Sequence, residues 1–143
     1  MNAAEQVNAK VMLEIFSAIE RRDPARLLEL CHPDVEFHWP PALPYGGTSH
    51  GLKMEPPTWT HTWTPLQPTE AERRMDARVV AASEDEAVVL WQQRGVSQTG
   101  GRFDAPVLGL YRFRDGKLAR AQMFYFDTVA LVDFLARARS QAA

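Results

Sequence analysis

The stretch RFDAPVLGLYRFRDGKLARAQMFYF, residues 102–126, decides the fold. Two runs rich in Val, Leu and aromatic residues flank Asp115-Gly116, a strong signal for a two-residue hairpin turn. Working backwards, Ala87 to Gln98 is a similar run, ended by Thr99-Gly100-Gly101. Met75 to Ala82 is another, ended by Ser83-Glu84-Asp85-Glu86. Four strands joined by short polar turns make an antiparallel meander. Past Phe126, Val129, Val132 and Leu135 form the apolar stripe of a closing helix that starts near Thr128.

The N-terminal half reads differently. Val7, Val11, Met12, Ile15, Phe16 and Ile19 recur at helical spacing, and Arg21-Arg22 suits that helix's C-terminus. Asp23 and Pro24 are good first residues for a second helix, whose apolar face is Leu27, Leu28, Leu30 and Cys31. His32-Pro33-Asp34 stops it. Val35 to Trp39 alternates as a short strand, and Pro41 to Glu55 reads as loop. The segment from Pro56 to Pro65 holds Trp59 and Trp63 four residues apart, which favours a short helix after Pro57. Helices first and strands grouped after them predict an α+β domain: a curved antiparallel sheet with its hollow side covered by the N-terminal helices.

Size and composition narrow the function. With 143 residues, 45% apolar and 24% charged, the chain fits one domain, 1–143, with a real core. A net charge of −2 argues against nucleic acid and anionic membrane as partners. A single cysteine, Cys31, forbids an internal disulfide and fits a reducing cytoplasm. The start has no signal-peptide pattern, and no apolar run approaches the ~20 residues that span a bilayer. No nucleophile elbow, phosphate loop or dinucleotide fingerprint is present.

Three stretches resemble the SnoaL-like branch of the nuclear transport factor 2-like superfamily, which includes ketosteroid isomerases, polyketide cyclases and limonene-1,2-epoxide hydrolases. They are Asp34 to Pro40 followed by Tyr45-Gly46-Gly47-Thr48 and Gly51; Phe103 to Tyr111 with Arg114 to Leu118; and Tyr125-Phe126-Asp127-Thr128. Together they span nearly the whole chain. The resemblance implies a cone-shaped α+β barrel with an apolar pocket at its wide end, a homodimer formed through the sheets, and no cofactor. It also implies a hydrophobic small molecule as substrate or ligand.

Asp127 is the leading catalytic candidate. Alternation puts Met123, Tyr125 and Asp127 on one strand face, which by resemblance lines the pocket. A carboxylate there would exchange protons near neutral pH. Asp127 or Thr128 is equally well placed to cap the last helix. The epoxide hydrolases carry an Asp in a matching Tyr-Phe-Asp context. They add an Arg and a second Asp two residues apart, where this chain has Arg94 and Val96, so that triad is incomplete. The ketosteroid isomerases place a proton-donating acid where Gly109 falls, and a base near His38 and Trp39. His38 and Tyr45 are therefore the assisting catalytic candidates. His38, His50 and His61 are candidates for convergence at the cavity mouth. Their spacing does not suit zinc, and no metal is expected. Trp39, Trp59, Trp63 and Trp91 offer flat apolar surface for a ligand, or ordinary core. His50, Arg94, Met123 and Tyr125 complete the expected substrate-binding set. Asp104, Arg112 and Arg114 are expected to face solvent or a partner.

The expected function is that of a small-molecule-binding protein acting as a cofactor-independent isomerase, cyclase or dehydratase. The alternatives are an epoxide hydrolase, a binder without catalysis, and an interaction module that uses its sheet to dimerise.

Overall fold

A computed structural model of the protein describes residues 2–52 and 57–142; the end of the expected loop, residues 53–55, and Pro56 after it lie outside them. Helix α1, Ala3–Glu20, opens on a capping box. The Glu5 amide donates to Asn2 Oδ1 at 2.9 Å, and the Asn2 amide donates to Glu5 Oε2 at 2.8 Å. Arg22 then takes a left-handed φ of 58° and turns the chain into α2, Pro24–Leu30. Asp23 caps α2, accepting from the Arg26 amide at 3.1 Å.

The six strands are β1 (Cys31–Trp39), β2 (Gly47–His50), β3 (Arg78–Ala82), β4 (Glu86–Val96), β5 (Arg102–Arg114) and β6 (Lys117–Tyr125). They form one sheet in the order β2-β1-β6-β5-β4-β3. Strands β3 to β6 are the expected antiparallel meander. Asp115 and Gly116 both have positive φ, 56° and 73°, as a type I′ hairpin requires. The sheet curls but does not close, since β2 and β3 remain its edges.

Several boundaries differ from expectation for local physical reasons. Cys31 belongs to β1, where it pairs in parallel with Leu118 of β6, so tertiary pairing overrides its fit to the helix pattern. The segment Gly47–His50, read as loop, is strand β2, paired antiparallel with Glu36 to Trp39. β3 starts at Arg78, because Asp76 has φ 49° and breaks the extended run after Met75. The short helix after Pro57 is present as α3, Thr58–Trp63, and runs on through a tight turn at Thr64–Leu66. A further turn of helix, α4 (Glu70–Arg73), precedes β3. Helix α5, Thr128–Ala142, closes the chain.

Alternation along the strands separates two faces. The inward set on β4 is Ala87, Val89, Trp91, Gln93 and Gly95, and on β5 it includes Val107, Gly109 and Tyr111. Met12, Ile15 and Phe16 of α1 pack against this face to make the main core. A second cluster joins Leu43, Tyr45, Trp63 and Phe103 to Leu131 and Leu135 of α5.

Candidate functional site

Between α1 and the inward face of the sheet the packing leaves a cavity. Its volume is about 60 Å³, where one water needs only ~10–15 Å³, so the gap exceeds a packing defect. Helix α1 supplies Met12, Ile15, Phe16 and Ile19. The sheet supplies Phe37, Trp39, Trp91, Gln93, Tyr111, Leu118, Ala121 and Met123. The rest of the lining is Arg22, Trp59, Thr60, Trp63, Gln67, Arg73 and Met75.

Most of the aromatic lining falls into two groups of packed rings. Trp39 lies 6.0 Å from Trp59 and 6.5 Å from Phe37 between ring centroids, and Trp91 lies 5.6 Å from Phe16. Of the expected substrate-binding residues, Trp39, Trp59, Trp63, Trp91 and Met123 line the cavity. The indole N–H groups of Trp39 and Trp59 are buried, and neither has a partner among the described residues. Such an unpaired buried donor is costly unless something in the cavity accepts from it.

Tyr111 is the only acidic side chain that lines this cavity among the described residues. It is 4% exposed, and its hydroxyl accepts from Trp91 Nε1 at 3.1 Å. Burial pushes the phenol well above its ordinary range, so it stays protonated and keeps its own O–H to donate. Its position depends on Gly109. A Cβ at 109 would lie 2.2 Å from the Tyr111 hydroxyl oxygen. The phenol thus occupies the space that any side chain at 109 would fill.

The polar remainder of the lining is the arginines Arg22 and Arg73, the amides Gln67 and Gln93, and the Thr60 hydroxyl. Arg22 Nη2 donates to Gln67 Oε1 at 2.9 Å. Arg73 Nε donates to the Gln67 carbonyl at 3.0 Å. Gln67 is itself held by its Nε2 donating to the Arg94 carbonyl at 2.9 Å. Burial lowers the pKa of Arg22, and the charge of Arg73 adds to that effect. Gln93 is 5% exposed at an inward position of β4.

Other expected site residues are placed elsewhere. Asp127 does not line the cavity. β6 ends at Tyr125, so strand alternation no longer governs residue 127. Asp127 is exposed, and its Oδ1 accepts from the Ala130 amide at 2.9 Å as the cap of α5. His38 is on the opposite face of β1 from Phe37 and Trp39. Its Nε2 meets Glu36 Oε2 at 3.0 Å, and its Nδ1 meets Thr48 Oγ1 at 3.1 Å. His50, on β2, is 3.8 Å from the same Glu36 carboxylate, and His61 is exposed on α3. The expected convergence of histidines at the cavity mouth therefore does not occur; two of them meet at Glu36 outside it. Glu36 is held below the usual carboxylate range, first by its hydrogen bond with His38.

Arg94 also faces outward, where it pairs with Asp76 at 2.9 Å and Asp104 at 3.2 Å. Asp104, Arg112 and Arg114 are exposed, as expected. Tyr45 and Tyr125 form a layer behind the cavity wall. Their hydroxyls are 3.1 Å apart, and Trp63 Nε1 donates to Tyr45 Oη at 3.0 Å. Burial raises both phenols. Among the described residues no cluster of His, Cys, Asp and Glu is arranged to hold a metal ion. No described helix is long and apolar enough to cross a membrane.

The sequence reading missed Arg22, Gln67, Arg73, Gln93 and Tyr111. Gln93 and Tyr111 carry a signal, since each continues an inward series on its strand. Arg22, Gln67 and Arg73 sit on turns or a short helix, where no periodicity points inward.

The SnoaL-like domain model matches residues 12–121, most of the chain. The chain belongs to the SnoaL-like domain family. Solved structures share its fold. TerC, co-crystallized with polyporic acid, shares 26% identity over 91% of this chain and 98% of its own, with a TM-score of 0.75. A protein assigned to the SnoaL-like polyketide cyclases from Jannaschia sp. CCS1 has 16% identity, covers 92% of each chain and has a TM-score of 0.71. An NTF2-like protein of unknown function from Burkholderia pseudomallei K96243 has 22% identity, covers 90% of this chain and 97% of its own, and has a TM-score of 0.65. The last two likenesses are of fold. No curated protein matches the chain.

Proposed function

We propose that this SnoaL-like chain binds a ring-bearing hydrophobic molecule in the cavity under its sheet and rearranges, cyclises or dehydrates it without a cofactor. The observation that carries the reading is Tyr111: a buried phenol that lines the aromatic cavity, with its hydroxyl set over Gly109. By family resemblance, position 109 is where the ketosteroid isomerases hold their proton-donating acid. Here the neighbouring phenol brings an O–H to that space. A hydrogen bond from it to a substrate carbonyl or hydroxyl oxygen stabilises the negative charge that develops there. The aromatic walls hold the ring in place and exclude water. The co-crystallization of TerC with polyporic acid supports a small organic ligand.

The test is turnover of a panel of cyclic ketones and hydroxyketones by the wild-type chain and by Tyr111→Phe. The reading expects product from at least one compound, and a rate ~10²–10³-fold lower in the variant with ligand affinity within a few-fold. Equal rates in the two proteins would remove Tyr111 from the chemistry.

The second reading is a binder without catalysis. One observation favours it: among the described residues no carboxylate or imidazole lines the cavity. Binding across the panel with no product would establish it.

We further propose that the chain is a homodimer through the outer face of the sheet, in a reducing, cytoplasmic setting. Leu90, Leu108 and Phe124 lie in register across β4, β5 and β6 on that face. Leu108 is 42% exposed and Phe124 51%. Sedimentation of the wild-type chain as a dimer, and of Leu108→Glu as a monomer, is the expected result.

A further inference from the structure

The cavity has a cationic end that the acid–base reading does not use. Arg22 and Arg73 both line it, and both hydrogen-bond Gln67. Neither is within 4.0 Å of a carboxylate among the described residues. Arg21, Arg26, Arg94, Arg112 and Arg137 all are. What distinguishes Arg22 and Arg73 from the other arginines without a carboxylate partner is that these two line the cavity. Their hydrogen bonds go to neutral oxygens: the Gln67 side chain, its carbonyl, and the Pro68 carbonyl at 3.1 Å from Arg73 Nη2. Gln67 is 7% exposed and anchored to the Arg94 carbonyl, so both guanidinium groups rest on a fixed point.

Arg22 is held at the Gln67 side chain and Arg73 at the Gln67 main-chain carbonyl, so two like charges are brought to one residue, and burial partly withdraws water from Arg22. Such an arrangement is stable only at a cost, which a bound anion offsets. The other polar groups of the lining point the same way. The Trp39 and Trp59 indoles are donors with no partner among the described residues, and Tyr111 has its O–H to give. The cavity is rich in donors and carries net positive charge, inside a wall of aromatic rings.

We propose that the ligand is a ring compound bearing an ionised acidic oxygen, a carboxylate or a stabilised enolate, and that Arg22 and Arg73 bind that oxygen. Guanidinium groups suit this task because they present several donors in a planar fork that matches two anionic lone pairs. The inference rests on the reading of the cavity as the ligand site, and it adds the charge of the ligand.

The test compares two probes of one shape, a naphthalene carboxylate and the matching neutral carboxamide, by titration calorimetry. The wild-type chain is expected to bind the carboxylate about tenfold or more tightly than the amide. That preference is expected to weaken with added salt and to vanish in the double variant Arg22→Gln, Arg73→Gln. Salt dependence is read on the wild-type chain, so the outcome does not hang on the variant's folding. Equal affinities on the wild-type chain, a preference insensitive to salt, or a preference kept by a folded double variant would overturn the inference and leave the cavity reading standing. Binding of neither probe would overturn both.

Discussion

Gly109 and Tyr111 are two residues apart on one face of β5, and the ring of the second lies across the first. Gly109→Ala would drive a methyl group into the phenol. The expected cost is about 1–3 kcal/mol in urea denaturation, with Tyr111 displaced from Trp91. Asp127 gives a sharper contrast, because capping and catalysis make opposite forecasts for it. Asn is as good a cap as Asp, so Asp127→Asn should leave stability and turnover unchanged. Asp127→Ala should lose about 1 kcal/mol of stability and leave ligand affinity alone. Loss of turnover in Asp127→Asn would restore the carboxylate to the chemistry. Of the two readings of Asp127, the cap is the one present, since alternation ends with the last paired residue of β6 at Tyr125. Gln93 could have been found by the same rule, since it continues the inward series of Val89 and Trp91.

At the scale of elements, legibility follows how much information a segment carries locally. The β5–β6 hairpin was plain, because Asp115-Gly116 supplies the two left-handed residues that its turn requires. Strand β2 was invisible: Gly47-Thr48-Ser49-His50 has no apolar alternation, and only its pairing with β1 makes it a strand. Cys31 read as helix because its spacing from Leu27 is helical, whereas the parallel pairing with Leu118 is a long-range fact. That pairing has a chemical consequence. Burial pushes the Cys31 thiol up to about 12, so little thiolate exists at neutral pH. Native protein should resist a thiol-specific reagent, and unfolding in urea should release one fast-reacting thiol. Rapid labelling under native conditions would show β1 opening well short of global unfolding.

Across the whole molecule, all three tyrosines are held above their ordinary pKa, each mainly by burial. The unfolded chain releases these protons first, near pH ~10. The stability they contribute is therefore complete below that pH and falls as pH rises toward the folded-state values. Tyrosinate absorbance should stay low until the fold itself gives way, and the two transitions should coincide. A phenol titrating at the ordinary pH in the folded chain would mean that one of these sites is wet.

The architecture was readable from pattern, turns and resemblance together. The cavity's chemistry is readable only in part, because its cations come from a turn and a one-turn helix whose inward direction is set by tertiary packing. The central claim is that a ligand occupies the space between α1 and the inward sheet face. Two-dimensional NMR of the indole N–H groups during titration with the naphthalene carboxamide tests it directly. Resonances of Trp39 and Trp59 should shift together and saturate, as their unpaired donors meet the probe. Saturable binding that leaves both resonances unmoved would contradict it.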